Sequence, residues 1–225
     1  MCTVTIIIRE NQTVITMNRD ERIDRPAETA PQCWQDSNIT APMDGLAYGT
    51  WIGMNEAGAW ACLLNSYDDY NGPTKKRSRG LLIPDILKQK NVKHPIDFVD
   101  LQSYAPFRFL VGNREEIFHY YWNGRELKYT PMPLQVDHIV TSSSWKADKV
   151  LPLREAAFKE WQKAGALFDA ERRPIIHFWT GNDARSGIMM TRPHSYTTSV
   201  TQIILEGEEA QMNYWPRSEL ITHAV

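Results

Sequence analysis

The sequence predicts an α+β protein built on antiparallel sheets, and three observations carry that expectation. Strand-like runs come in neighbouring pairs joined by short polar turns. The helical stretches fall between groups of strands instead of alternating with them. No Gly-x-Gly-x-x-Gly follows any strand, so a parallel doubly wound sheet does not fit. A four-layer αββα sandwich of two antiparallel sheets satisfies this order of elements.

The elements follow in order. Residues 2–9 are dense in Thr, Val and Ile, and after the polar Glu10-Asn11-Gln12 a second such run, 13–18, turns back on them, giving a hairpin that begins at the second residue. A Pro-containing loop leads to strands over 46–54 and 58–65, turning at Asn55-Glu56-Ala57. Residues 79–89 have helical spacing at Leu82, Ile83, Ile86 and Leu87, with Pro84 tolerable in the first turn, and 94–101 reads as a second short helix. Strands are expected over 106–111, 116–122 and 126–130, the last two joined by Asn123-Gly124, a strong hairpin signal. A further strand ends at 139–141. Residues 146–164 form the best helix and 171–179 another, before a closing antiparallel pair, 196–205 and 211–215.

Across 225 residues no linker, repeat or low-complexity tract divides the chain, so one αββα domain over 1–225 is expected. Eight Trp, nine Tyr and seven Phe, within 42% hydrophobic residues, supply enough apolar surface for a sizeable core. A net charge of -2 argues against a general polyanion binder, and so against nucleic acid as partner. Cys2, Cys33 and Cys62 are odd in number and lack CxxC spacing, which fits neither a disulfide framework nor a zinc knuckle and favours a reducing compartment. With no signal peptide and no apolar run long enough to span a bilayer, a cytoplasmic protein without membrane insertion is expected. His119, His138, His177, His194 and His223 show no metal-ligand spacing; no metal is assigned, and each is expected on a strand face or the surface.

The chemistry concentrates at the start. If Met1 is removed, the Cys2 thiol lies beside a free α-amine, and their reference pKa values, about 8.5 and about 7.7 to 8.0, let one proton pass between them at neutral pH. Nucleophile and general base then share one residue. The returning strand ends in Asn18-Arg19-Asp20-Glu21, which brings a guanidinium to lower the thiol pKa and a carboxylate to hold the ammonium. A small buried cysteine and a solvated polar turn are the plain alternatives.

Cys2 with Asn18-Arg19-Asp20-Glu21, then Arg25-Pro26, Gly49-Thr50-Trp51-Ile52-Gly53, Asn65 with Tyr67, Ser78-Arg79-Gly80-Leu81-Leu82, Phe109-Leu110-Val111-Gly112, Trp145-Lys146 and Thr191-Arg192 resemble, in that order, the NRDE family, also called transport and Golgi organisation 2. Cys2-Thr3 and Gly53-Met54-Asn55-Glu56-Ala57-Gly58 leading to Leu64-Asn65 resemble the cysteine amidases of the bile-salt and penicillin V hydrolase type. Both resemblances imply the N-terminal-nucleophile hydrolase fold. The amidase resemblance implies Cys2 as nucleophile, Arg19 and Asp20 beside it, Asn65 at the oxyanion and Arg192 as the C-terminal arginine of the site. Where these families tend to carry a further Asn, this chain has Ser142-Ser143-Ser144.

Two functions stay open. The NRDE resemblance implies haem trafficking, with haem as cargo held by thiolate or imidazole and its propionates by arginines; the fold equally serves a cysteine hydrolase of amides or thioesters, which needs no cofactor. Haem handling stands slightly ahead, since no defined substrate comes with the resemblance. Asn18, Trp51, Arg79 and His194 are the expected ligand-binding residues, and the basic run Lys75, Lys76, Arg77 and Arg79 is a solvated loop or a grip on a carboxylate, phosphate or propionate. The partner in either case is a small molecule.

Overall fold

A computed structural model describes residues 1–34, 37–67, 77–89, 96 and 99–223. The first sheet has six strands. β1 (Cys2–Arg9) lies between β2 (Gln12–Arg22) and β10 (His138–Ser142); β2 continues into β12 (Ser195–Glu206), which carries both β11 (Thr191–Arg192) and β13 (Glu209–Pro216). The second sheet runs in sequence order through β3 (Thr29–Trp34), β4 (Ile39–Met43), β5 (Ile52–Asn55), β6 (Trp60–Asn65), β7 (Phe107–Gly112), β8 (Ile117–Trp122) and β9 (Leu127–Met132). Every pairing between neighbouring strands is antiparallel.

Strand alternation sets the layers. Val4, Ile6, Ile15 and Met17 point from β1 and β2 into the gap between the sheets and meet Trp60, Leu64 and Leu110 of the second sheet. Each such side chain contributes about 1.5–3 kcal/mol by leaving water. The far face of the second sheet packs Phe107, Phe109 and Trp122 against Leu82, Ile83, Ile86 and Leu87 of α1 (Leu82–Leu87). The far face of the first sheet packs Ile7, Val14 and Ile204 against Phe158 of α2 (Ala147–Lys163). The result is the expected αββα sandwich. No helix among the described residues is long and apolar enough to cross a membrane.

The outer face of β1 and β2 changes character along its length. It is apolar at Ile7 and Val14 and polar at the other end, where Thr3, Thr5, Thr16, Asn18 and Asp20 are all buried. Buried polar groups need partners, and this polar end lies under Arg154 of α2 and His177.

Some expectations need correction. β3 and β4 sit where a loop is expected; β3 is a largely exposed edge strand containing Pro31, without the alternation that marks a half-buried strand. Residues 46–51 form a tight loop, and the strand begins only at Ile52. Over 171–179 only one 3-10 turn, Ile175–Phe178, forms, because Arg172 adopts φ 60° and the Asp169 carboxylate takes the N–H groups of Glu171 and Arg173. His177 is fully buried instead of lying on the surface. Of the helix expected over 94–101, residues 94, 95, 97 and 98 lie outside the described residues, as do Lys75 and Lys76.

Candidate active site

The register of the first hairpin places Cys2 opposite Arg19, and β10 places Ser142 on the other side of Cys2. Cys2 therefore sits in the middle of three strands, facing between the sheets, with a cavity of about 280 Å³ at its end. Arg19, Asp20, Trp51, Asn65 and Arg79 line that cavity with Cys2.

One wall of the cavity depends on two glycines, Gly49 and Gly80. A Cβ on Gly49 would lie 2.6 Å from the Gly80 carbonyl carbon, and one on Gly80 would lie 2.9 Å from the Thr50 carbonyl oxygen. Thr50 N–H donates to the Gly80 carbonyl at 3.0 Å, so the loop before β5 and the turn before α1 are fused along backbone. Asp44 pins the same loop by accepting the N–H groups of Leu46 (3.1 Å) and Ala47 (2.6 Å).

Arg19 does not reach for the thiol. Its guanidinium bonds Glu28 and Asp44 and lies 4.4 Å from the centre of the Trp51 ring, while Arg25 grips Asp44 from the other side at 2.8 and 3.1 Å. The expected lowering of the thiol pKa is accordingly outweighed. Burial pushes the Cys2 thiol up, and the N-terminal ammonium and Arg19 offset this only in part.

Met1 is in place and buried. Its ammonium donates to the Asp20 carbonyl oxygen (3.3 Å) and to the Tyr67 hydroxyl (2.8 Å), and its carbonyl accepts the Asp20 N–H (3.1 Å). Its thioether rests against Ser143 Oγ and the Arg192 guanidinium, which also stacks on Trp145 at 4.9 Å. Burial works to lower the ammonium pKa, but Cys2, Tyr67 and Asp20 outweigh it, and the group is raised to about 10. The Cys2 N–H, now part of a peptide bond, donates to Ser142 Oγ at 3.2 Å.

Asp20 is buried on the outer face. Its Oδ1 accepts from Thr197 Oγ1 at 2.6 Å, and its Oδ2 lies 4.0 Å from Arg154 Nη2. Burial raises its pKa, opposed by Arg154, the N-terminal ammonium, the Thr197 bond and Arg192. Arg154 Nη1 donates to Thr3 Oγ1 (2.9 Å) and Thr141 Oγ1 (3.1 Å). His177 bonds Thr5 Oγ1 at 2.7 Å and Asn18 Oδ1, and burial lowers its pKa to about 3.

The structure thus brings Cys2, Arg19, Asp20, Asn65, Trp51 and Arg79 to one cavity. Arg192 stands beside Met1 and not in the cavity wall. Asn18 faces away, donating to the His177 and Ile188 carbonyls, and His194 is exposed at the turn between β11 and β12. Met189 and Met190 are core residues. Sequence reasoning missed Arg154, Tyr67 as the partner of the N-terminus, and the Asp44–Glu28 pair. Arg154 carried a signal: it interrupts the buried stripe Val150, Arg154, Phe158 of α2, where a charge has no reason to sit without a partner.

No group of three or more His, Cys, Asp or Glu among the described residues is arranged to hold a metal ion. In three dimensions the chain is similar to the Caenorhabditis elegans N-acylethanolamine-hydrolyzing acid amidase ortholog, with a TM-score of 0.54 and 14% identity over 92% of this chain and 93% of that one. It is also similar to the conjugated bile acid hydrolase from Clostridium perfringens in two variant forms, with TM-scores of 0.51 and 0.54 and identities of 12% and 10%, over 97% of this chain and 93% of each. At these identities the likeness is one of fold, the N-terminal-nucleophile hydrolase fold. In sequence, 104 residues are 38% identical to the uncharacterized protein YGR127W of Saccharomyces cerevisiae, covering 42% of this chain and only 31% of that curated relative. The model of the family described as Transport and Golgi organisation 2 matches residues 1–175, and the chain belongs to that family.

Proposed function

We propose that the chain, once Met1 is removed, is a cysteine hydrolase of an amide or thioester bond. The observation that carries this reading is that Cys2, Arg19 and Asn65 border one cavity from three different strands. Removal of Met1 converts the Cys2 peptide nitrogen into an α-amine at the position now bonded to Ser142 Oγ. That amine takes the thiol proton as the sulfur adds to the carbonyl carbon. The tetrahedral oxyanion receives a hydrogen bond from the Asn65 side-chain amide, which no hydrogen bond among the described residues engages. The intermediate collapses as the ammonium returns the proton to the leaving amine or thiol. Water then attacks the thioester, giving one proton to the amine and releasing the acid, and the amine returns that proton to sulfur.

Arg79 supports a choice of substrate. Arg19 and Arg25 are neutralised by carboxylates, whereas Arg79 makes one bond, to the Pro106 carbonyl at 2.8 Å, and no ion pair among the described residues. We assign it to an acidic group on the substrate.

The lining does not fit haem. The cavity is about 280 Å³ and lined mainly by polar and charged residues, Arg19, Arg25, Asp44 and Arg79 among them, whereas a flat macrocycle requires an apolar slot; His194 lies elsewhere.

The test uses protein cleaved to expose Cys2 and treated with p-nitrophenyl acetate. Intact mass showing one acetyl group on wild type and none on Cys2→Ser supports the hydrolase; a saturable Soret shift with haem and no acetylation supports the haem carrier instead.

A further inference from the structure

We propose that Arg154 is a positioning residue that sets the proton affinity of the Cys2 amine and thiol through Asp20; the role in turnover rests on the hydrolytic reading above, but the effect on Cys2 does not. Strand alternation carries the argument. Cys2 faces the cavity, while Thr3 and Asp20 face the opposite side of the same sheet, so Arg154 reaches the nucleophile's strand from behind and cannot touch a substrate.

Arg154 is fully buried, and its donors are shared among the elements that frame Cys2. Nη1 bridges Thr3, the residue after the nucleophile, and Thr141, the residue before Ser142; these two hydroxyls also bond each other at 2.9 Å. Nε donates to the Ser186 carbonyl at 3.2 Å, in the loop whose Arg185 carbonyl holds Arg192 at 2.8 Å. Nη2 is left facing Asp20 Oδ2 at 4.0 Å, and neither atom has a hydrogen bond among the described residues. A buried guanidinium and a buried carboxylate held face to face keep each other ionised, since either alone is too costly to bury as an ion.

The groups acting on Asp20 are Arg154 from α2, Arg192 from β11, Arg217 just after β13, the Met1 ammonium just before β1, and the Cys2 thiol from β1. Arg154 alone among these arginines is fully excluded from solvent, so its field is the least screened. An ionised Asp20 makes proton loss harder for the amine and thiol above it. If Arg154 is lost and Asp20 takes a proton, that negative charge disappears and proton loss shifts to lower pH. If Arg154 were only structural, Asp20 would stay ionised without its counter-ion and the shift would be upward.

The experiment follows alkylation of Cys2 by iodoacetamide against pH, read by intact mass, on protein cleaved to expose Cys2. Arg154→Met is expected to move the inflection down by about one pH unit, less than Asp20→Asn does, and in the Asp20→Asn background to move it no further down. Arg154→Lys, which keeps the charge, is expected to retain the wild-type inflection. An unchanged or upward inflection in Arg154→Met overturns the proposal. So does a shift in Arg154→Lys as large as that of Asp20→Asn, which remains decisive if Arg154→Met fails to fold. Because alkylation needs no turnover, absence of acetylation by p-nitrophenyl acetate in parallel samples would count against the hydrolase reading alone.

Discussion

Cys2 and Arg19 face each other across the first hairpin, yet the Arg19 guanidinium is bound to Glu28 and Asp44 instead of the thiol. The arginine thereby ties the hairpin that carries Cys2 to the loop that walls the cavity. Glu28 and Asp44 side chains are each only 8% exposed. Arg19→Met takes one of two cations from Asp44 and leaves Glu28 with the Thr198 and Tyr214 hydroxyls but no cation among the described residues, and is expected to destabilise the fold by about 3 kcal/mol, measured by urea unfolding. A loss below about 1 kcal/mol would mean that Arg25 suffices for Asp44 and the Thr198 and Tyr214 hydroxyls for Glu28.

Asn65 lines the cavity at the end of β6, and its side chain makes no hydrogen bond among the described residues. Asn65→Ala is expected to slow acetylation of Cys2 by about 10²–10³-fold while leaving the unfolding midpoint nearly unchanged. Equal rates would remove Asn65 from the oxyanion role.

His177 ties stability to pH. The unfolded chain binds a proton at this residue near pH 6.5, but the buried imidazole refuses it until about pH 3. Stability is therefore full above pH 6.5 and falls across that window as the pH drops, by at most about 1.4 kcal/mol per unit. His119, lowered to about 4 by burial, acts in the same direction. His177→Gln is expected to flatten the decline between pH 6 and pH 4 in urea titrations, taking those two values as roughly the middle of the window.

Gly49 and Gly80 allow two backbones to touch beside the site. Gly49→Ala places a methyl 2.6 Å from the Gly80 carbonyl carbon, and neither backbone can yield cheaply. A loss of about 1–3 kcal/mol is expected in thermal or urea unfolding, together with slower acetylation as the wall separates. Unchanged behaviour in both would show that the contact is not structural.

How much of this was legible follows from which forces act locally. Hairpin β1–β2, the Asn123-Gly124 turn and helix α2 are written in alternation, turn chemistry and 3.6-residue spacing, and the register that brings Arg19 to Cys2 follows from the turn at Asn11. β3 is held by pairing to β4 instead of by burial, and so leaves no hydrophobic pattern. The Arg172 backbone that cuts short the helix expected over 171–179 depends on a side-chain cap from Asp169, which spacing does not reveal. Arg19 illustrates the limit at the site. Its position was readable, but its partners Glu28 and Asp44 come from separate stretches of chain, so which group it neutralises is decided by tertiary packing. Arg154 was readable only as an anomaly in an apolar stripe.

The most direct measurement is the intact mass of protein lacking Met1 after brief exposure to p-nitrophenyl acetate, followed by its decay in buffer. An acetyl group that appears on Cys2, is absent in Cys2→Ser, and is lost over time is the result predicted here. A wild-type protein that stays unmodified with its Cys2 amine demonstrably free would contradict it.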